Sequence, residues 1–186
     1  TEESYLTPTP TPDCSILFEG FNGFQTGTRP LDWTFTGCNA NTDVYTGVGQ
    51  FGYALPSIKL DTRGDRIESA SFVRPGQLSF WVRGFSVNPT SALFVQAFMT
   101  DSWDTLTEIY DLPVTGTTIG PIDVFPTASR LRFQFEKEYG NLAFDDVCLS
   151  LGPPSPPPIT PTPSPSASPT PTPSPPPSTS PTPSTP

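Results

Sequence analysis

Short segments in which apolar and polar side chains alternate dominate the middle of the chain. Residues 131–136, Leu-Arg-Phe-Gln-Phe-Glu, show this alternation most clearly, and a period of two is typical of a β-strand with one buried face. Comparable segments, rich in β-branched and aromatic residues, are Ile16–Glu19, Arg66–Val73, Gln77–Val82, Ala92–Thr100 and Leu142–Leu149. No segment shows a convincing helical period, so the pattern predicts an all-β fold.

Two segments are apolar on both faces, and turn residues separate the predicted strands. Leu78–Val82 and Leu93–Val95 carry runs of mostly apolar side chains, which predicts that they lie in the centre of a sheet. Turn residues recur at Gly47–Gly49, Thr62–Asp65, Arg74–Gly76, Val87–Pro89 and Tyr139–Asn141. The sequence therefore predicts an antiparallel sandwich of two sheets with roughly ten short strands.

Composition divides the chain into a head and two flanking segments. Residues 13–151 hold every Cys, Trp and Phe, and roughly 140 residues suffice for one domain with a core. Residues 1–12 form a Thr-Pro arm, and residues 152–186 form a tail of mostly Pro, Ser and Thr. Such segments are typical of extended polyproline II stalks, which rise about 3.1 Å per residue, so the tail would span roughly 105 Å.

The charge and the cysteines limit the partners and the compartment. The formal charge of −9 argues against nucleic acid, because phosphate binding needs a basic surface. The sequence has no polybasic anchor and no apolar run of membrane-spanning length, so no membrane insertion is expected. Pro/Thr stalks are extracellular features, and we expect an extracellular or cell-surface protein. Three cysteines then favour one disulfide, with the third thiol free or paired between chains.

Little in the sequence points to catalysis. There is no His, which removes the usual general base, the usual zinc ligand and any Ser/His/Asp or Cys/His arrangement. Glu136 and Glu138 share one strand face, as a glycosidase pair could, but the aromatic and acidic residues that surround such a pair in jelly-roll glycosidases are missing. A solvated strand edge is the better interpretation, and we expect no enzymatic activity.

The order of the strand segments adds a resemblance. In sequence they are Ile16–Phe21, Leu31–Trp33, Arg66–Ser69, Leu78–Gly84, Ala92–Val95, Trp103–Leu106, Leu131–Phe135 and Leu142–Val147. This order resembles the MAM-like and cleaved-adhesin group of jelly rolls, related to concanavalin A-like lectin folds, over nearly the whole head. The resemblance implies a jelly-roll sandwich, and it implies an extracellular adhesive or accessory module, since most members of that group are not enzymes by themselves.

The resemblance also implies that the first and last strands are neighbours. Glu19 would then lie near Asp145 and Asp146, and clustered carboxylates repel one another unless a cation lies among them. Oxygen ligands suit Ca²⁺, and related domains often hold a structural calcium ion there, so these three residues are the predicted ligands. The alternative is that one Asp faces solvent while the other caps the strand end.

The same strand pairing bears on the disulfide. It would bring Cys14, just before the first strand, close to Cys148, late in the last strand. A bridge between them would tie the two ends of the head together and leave Cys38 as the odd thiol. The rival pairing of Cys14 with Cys38 stays open.

Two short motifs are better explained by turns than by binding. Asn39, Asn41 and Asp43 place oxygen-bearing side chains at alternate positions, a weak second calcium loop that lacks the glycine of an EF-hand loop. An Asx-rich turn explains them more simply. Arg63-Gly64-Asp65 spells an integrin-recognition tripeptide, but Gly-Asp between strands is ordinary turn chemistry.

Aromatic residues in or near predicted loops could form a platform for a polysaccharide, because aromatic rings stack on sugar faces. They are Tyr45, Phe51, Tyr53, Trp103, Tyr110 and Tyr139. Trp33 and Trp81 are predicted to belong to the core, and Trp103 could also pack against the sandwich.

The Thr-Pro and Ser-Pro repeats of the tail predict O-linked glycans, which would extend and stiffen it. The predicted sites include Thr160, Thr162, Ser164, Thr170, Thr172 and Ser174. Asn-linked glycosylation is excluded, because Asn88 precedes a proline and no other Asn has Ser or Thr two positions on.

Two hypotheses about function follow. The sequence favours a non-enzymatic structural glycoprotein whose heads assemble into a homo-oligomeric, cell-surface filament. In this filament, Tyr5 and Leu6 would anchor the arm, which would add as a strand to a sheet of the neighbouring subunit. The tail would be a glycosylated rod. The alternative is an adhesin or carbohydrate-binding module of a secreted protein, with the tail as a linker. Retention on polysaccharides would favour the alternative.

Overall fold

The computed structural model describes residues 13–152 of the chain, and these form an all-β sandwich of two antiparallel sheets. The strands are β1 (Leu17–Glu19), β2 (Thr34–Thr36), β3 (Val44–Tyr45), β4 (Ser57–Leu60), β5 (Asp65–Glu68), β6 (Pro75–Phe85), β7 (Ala92–Phe98), β8 (Trp103–Ile109), β9 (Thr117–Asp123), β10 (Arg130–Glu136) and β11 (Asn141–Leu151). One 3₁₀ helix, Phe24–Thr26, follows β1. The predicted fold class is confirmed for the head.

The strand order explains which segments are central. One sheet runs β3-β4-β11-β6-β9, with β1 also paired to β11, and the other runs β2-β5-β10-β7-β8. The two segments that are apolar on both faces, Leu78–Val82 and Leu93–Val95, belong to β6 and β7. Each of these strands has a paired neighbour on both sides. In β6 the outward-facing Trp81 is itself only 8% exposed, so apolar side chains suit both faces of that strand.

Several boundaries differ from the sequence expectation. The segment expected as a strand at Leu31–Trp33 is a turn, and the strand follows it at Thr34–Thr36. The predicted strand Arg66–Val73 ends at Glu68, because the Ser69 hydroxyl accepts the Leu131 N–H and the Phe72 N–H already bonds to Ser129 outside the ladder. The predicted turn Arg74–Gly76 is instead the entry to β6, which begins at Pro75. Proline is tolerated at the first residue of a strand, where its missing N–H costs no ladder bond.

The core lies between the sheets and is largely aromatic. Phe144 of β11 packs against Phe133 at a centroid distance of 4.7 Å, against Phe80 at 5.5 Å and against Phe21 at 6.0 Å. All four rings are essentially inaccessible to solvent. Trp33 meets Phe21 edge-on at 5.3 Å, as its predicted place in the core requires. The alternating side chains of β10 therefore divide as predicted, with the apolar ones inside.

A disulfide joins Cys14 to Cys148, with a Cα–Cα distance of 4.9 Å and a sequence separation of 134. The antiparallel pairing of β1 with β11, in which Phe18 lies opposite Cys148, brings the two cysteines together. Cys38 is free and buried, so the rival pairing with Cys14 is not the one formed.

Candidate functional site

Three carboxylates lie where β1 runs beside β11. Glu19 is opposite Val147, and the pairing of β11 with β6 is interrupted by a register shift between Asp145 and Cys148. Asp146 lies in this bulge with a φ of +50°, a left-handed conformation that L-residues other than Asn and Asp adopt rarely. The neighbouring first and last strands thus place these residues in one region of the fold.

The carboxylates hold a loop onto β11. Asp145 accepts the N–H of Gly52 at 2.8 Å, and Asp146 accepts the N–H of Tyr53 at 2.5 Å through Oδ2. Glu19 accepts the N–H of Phe21 at 2.7 Å. A side chain at position 52 would place its Cβ only 1.9 Å from Asp146 Oδ2, so the close approach of this loop requires the glycine.

One oxygen of this group is buried without a partner. Asp146 Oδ1 is inaccessible to solvent and accepts no hydrogen bond, an uncommon state for a buried polar atom. Among residues 13–152, however, no three Asp, Glu, His or Cys side chains stand together as a ready-made metal site. A calcium ion here would need backbone oxygens among its ligands, which Ca²⁺ accepts.

Burial raises the pKa of all three carboxyl groups. Desolvation is the largest cause for Asp145, whose pKa rises to about 8, and the charges of Asp146 and Glu19 push it further in the same direction. For Glu19 and for Asp146, desolvation outweighs the pKa-lowering effect of one backbone hydrogen bond each. The surrounding protein therefore disfavours the charged form of each group.

The two minor motifs are turns. Asp43 accepts both the backbone N–H and the side-chain amide of Asn39, at 2.6 and 3.1 Å, so the predicted weak calcium loop closes on itself as an Asx turn. Asp65 of the Arg-Gly-Asp tripeptide is buried. Its carboxylate accepts the N–H groups of Asp61 and Thr62, both at 2.8 Å.

Glu136 and Glu138 share one arginine. Arg63 Nε lies 3.2 Å from Glu136, and its Nη1 lies 2.9 Å from Glu138. Gln134 also donates to Glu136 at 2.6 Å. The two carboxylates are thus tied into a solvated ion-pair network at the end of β10, which agrees with the strand-edge interpretation.

The six predicted loop aromatics do not form one platform. Tyr45 stacks on Phe85 at 4.6 Å, and Trp103 packs against Phe98 at 5.2 Å. Within the described part of the chain, no ring contact joins any two of the six. Those with the greatest exposure are Tyr53, Tyr110 and Tyr139, and Phe51 is half-buried.

Loops cover the part of the outer face of the six-stranded sheet that surrounds Trp81 and Arg83. Trp81 of β6 is only 8% exposed, because Gly52 and Gly116 lie directly against its ring. Arg83, two residues along, donates to the carbonyl of Gly49 at 2.5 Å and to that of Val114 at 3.1 Å. Trp81 is buried as predicted, but beneath these loops instead of in the core between the sheets.

The outer face of the five-stranded sheet is open by comparison, and we call it the polar sheet face. Its side chains point outward from β2, β5, β10, β7 and β8 and are all half-buried or exposed. Strand register sets one row across it, made of Thr34, Glu68, Arg132, Gln96 and Thr105.

Two further rows flank the first. One is made of Arg130, Phe98 and Trp103, and the other is the second row of the polar sheet face. It contains Thr36, Arg66, Gln134, Phe94 and Glu108. The two rows together offer guanidinium, carboxylate, carboxamide and hydroxyl groups side by side, with few apolar atoms between them.

Three arginines converge on one glutamate in this face, and we call Arg66, Arg130, Arg132 and Glu68 the arginine cluster. Arg132 Nη2 lies 2.8 Å from Glu68, Arg66 Nε 3.3 Å and Arg130 Nη1 4.0 Å. Two aromatic rings support the cluster. Arg132 lies over Trp103 at 3.9 Å, and Arg130 lies over Phe98 at 4.6 Å.

The arginine cluster was not predicted from the sequence. The alternation of β10 shows that Arg132 and Gln134 face outward, so part of the signal was present. What brings Glu68 and Arg66 beside them is the pairing of β5 with β10, and no local pattern reveals that register.

Several predicted residues lie outside the described residues. These are the assembly residues Tyr5 and Leu6 and the glycosylation sites Thr160, Thr162, Ser164, Thr170, Thr172 and Ser174. Among residues 13–152, no helix has the length and apolar character needed to cross a bilayer.

Comparison with known proteins gives a likeness of fold. No protein-family model matches the chain, and no curated protein matches it. Two cleaved adhesin domains of Lys-gingipain from Porphyromonas gingivalis match with TM-scores of 0.57 and 0.55 at 12% and 14% identity. They cover 74% and 73% of this chain and 99% and 98% of their own lengths.

A family 29 carbohydrate-binding module matches with a TM-score of 0.49 at 14% identity, over 74% of this chain and 91% of the module. At such identities the likeness concerns the fold alone. In its β-sandwich, this chain is similar to cleaved adhesin domains.

Proposed function

We propose that this chain is a non-catalytic, extracellular carbohydrate-binding or adhesive module whose ligand lies across the polar sheet face. The observation that carries the proposal is the openness of that face together with its rows of hydrogen-bonding side chains. A polyhydroxylated ligand needs many donors and acceptors on a flat surface, and Gln96, Gln134 and Thr105 supply them next to the arginine cluster. The disulfide supports an oxidising, extracellular setting.

The fold adds support of a general kind. Similar solved structures are named as adhesin domains, which agrees with a role in attachment. Residues 152–186 would then act as an O-glycosylated linker that carries the module away from its attachment point. Nothing in residues 13–152 supports a filament, since that hypothesis depends on the arm and the tail.

Glycan binding is the first test. In affinity electrophoresis of the whole chain against a panel of neutral and acidic polysaccharides, we expect retention by at least one of them. The double variant Gln96→Ala/Gln134→Ala should lower the affinity about thirtyfold, because each of the two lost hydrogen bonds costs about 1 kcal/mol.

The matched control removes two exposed loop rings instead, in Tyr53→Ala/Tyr139→Ala, and should leave binding unchanged. Loss of binding in the tyrosine variant with none in the glutamine variant would place the ligand on the loops. Absence of retention by every polysaccharide would overturn the proposed function.

We also propose that the carboxylates of Glu19, Asp145 and Asp146 bind a structural Ca²⁺ ion. The unpartnered, buried Asp146 Oδ1 supports this, because a cation would give that oxygen the partner it lacks. With calcium bound, the ion would offset the charge of the carboxylates that ligate it and help to hold the loop at Gly52 and Tyr53 on β11.

Calcium should therefore stabilise the head. At a calcium concentration about 100 times its dissociation constant, the free energy of unfolding should exceed that in a chelator by about 2.7 kcal/mol. Asp146→Asn should remove most of this difference, whereas Asp101→Asn, at an exposed position, should keep it. Identical unfolding curves with calcium and with chelator would rule out the ion site.

A further inference from the structure

The arginine cluster carries more positive charge than it pairs. Three guanidinium groups share the single carboxylate of Glu68, which leaves a local excess of two positive charges. The chain as a whole carries −9, with only nine Lys and Arg against eighteen Asp and Glu. A third of its cations are thus concentrated in one small part of the polar sheet face.

Such a concentration is unfavourable in the protein alone. Like charges on neighbouring strands repel one another, and a single Arg–Glu pair would satisfy Glu68. An anion placed against the cluster removes this repulsion, so the cluster is better matched to an anionic ligand than to a neutral one.

The donors that an anion needs are free on two of the three arginines. Arg132 is the most engaged of the three, since its Nε donates to Glu68 at 3.0 Å, its Nη2 lies 2.8 Å from the same carboxylate and its plane lies on Trp103. Arg130 donates no hydrogen bond to any residue in the range 13–152, and its side chain is 36% exposed. Arg66 donates from Nη2 to Thr36 at 3.3 Å, and its Nε is buried without a hydrogen-bond partner. Its side chain is 33% exposed, so the Nη groups are the donors that an anion could reach.

The surroundings point to a glycan and not to a protein. Apart from the arginine cluster, the rows of the polar sheet face carry Thr and Gln side chains and one further carboxylate, Glu108. Their aromatic rings are Phe94, Phe98 and Trp103. It has no apolar centre of the kind that anchors most protein interfaces, whereas amides and hydroxyls suit the hydroxyl groups of a sugar chain.

We propose, resting on the proposed glycan-binding function, that the ligand is a polysaccharide containing uronic acids, and that Arg66 and Arg130 bind its carboxylate groups. The planar guanidinium fork matches a carboxylate through two parallel hydrogen bonds. Arg132 acts as a positioning residue, because it holds Glu68 between the other two arginines, and the rings beneath the cluster limit its freedom.

The test measures binding of the whole chain to polygalacturonate, to dextran sulfate and to a neutral galactan by isothermal titration calorimetry. Arg66→Gln and Arg130→Gln should each weaken binding to polygalacturonate about tenfold, the usual loss for a hydrogen bond to a charged group. Arg66→Lys and Arg130→Lys should weaken it less, because the charge stays while the fork is lost.

Arg74→Gln is the matched control, since Arg74 is an exposed arginine just before β6 in the other sheet. It should bind like the unmodified chain. Affinity should also fall as sodium chloride is raised, because salt screens exposed charges. Unfolding midpoints of all variants establish that each one is folded.

The alternatives give distinct results. Binding to galactan without binding to polygalacturonate would overturn the uronic acid proposal and leave the glycan-binding function standing. Equal losses in the Arg66, Arg130 and Arg74 variants, or stronger binding to dextran sulfate than to polygalacturonate, would show unspecific charge attraction and overturn it too. Binding to none of the three, together with no retention on the wider panel, would overturn both proposals.

Discussion

Replacing Cys14 and Cys148 together by serine is expected to lower the free energy of unfolding by about 4–5 kcal/mol. The two residues are 134 positions apart, so their bond restricts nearly the whole unfolded head. In the chain-entropy account, the stabilisation from such a long loop comes mainly from the entropy it removes from the unfolded state.

Guanidinium unfolding followed by tryptophan fluorescence would measure this, because Trp33 and Trp81 are both buried. Cys38→Ala is the control. Its thiol is free and buried, so the variant loses only a small packing contact, about 1 kcal/mol. If reduction of the unmodified chain left the unfolding midpoint in place, the bridge would have no such role.

Replacing Phe144 by alanine should cost about 3–5 kcal/mol of stability, the usual range for a fully buried phenylalanine. Its ring meets Phe133, Phe80 and Phe21, and so joins both sheets and the segment after β1. The surrounding strands are paired on both sides and can relax only partly into the cavity.

Phe144→Leu keeps most of the volume and should cost much less, about 1 kcal/mol. Phe125→Ala, at a partly exposed position, serves as the aromatic control and should also cost little. The same unfolding experiment measures all three variants. A loss below about 1 kcal/mol in Phe144→Ala would show that the core does not depend on this ring.

The choice between filament and binding module rests on the polar sheet face. The sequence favoured a filament because the arm and the tail looked suited to assembly. The structure adds an open face whose rows of hydrogen-bonding side chains match the hydroxyl groups of a sugar chain. We therefore give priority to the binding hypothesis, and the glycan experiments decide it.

Local pattern predicted the fold class because side-chain alternation is a property of the strand itself. The period of two in residues 131–136 is enough to assign β10 and its buried face. Short strands such as β3, with two residues, have no room for a period. The end of β5 depends on hydrogen bonds from Ser69 and Phe72 to residues at the start of β10. Such long-range hydrogen bonds cannot be predicted from a local sequence pattern.

The candidate sites were predicted unevenly for the same reason. Glu19, Asp145 and Asp146 were singled out because the resemblance implied which strands are neighbours. The arginine cluster was missed because Glu68, Arg130 and Arg132 are ordinary polar positions of their own strands. Only the pairing of β5 with β10 brings their charges together.

By itself, the sequence determined that the head is an all-β sandwich without the usual histidine-based catalytic groups, flanked by an arm and a tail rich in proline. Composition and local periodicity are enough for that, because they act within a few residues. Only the tertiary structure decided which cysteines join, which carboxyl oxygen is buried without a partner and which sheet face stays open. Each of these depends on strand register and on loops that cover part of one face of the sandwich and leave the other accessible.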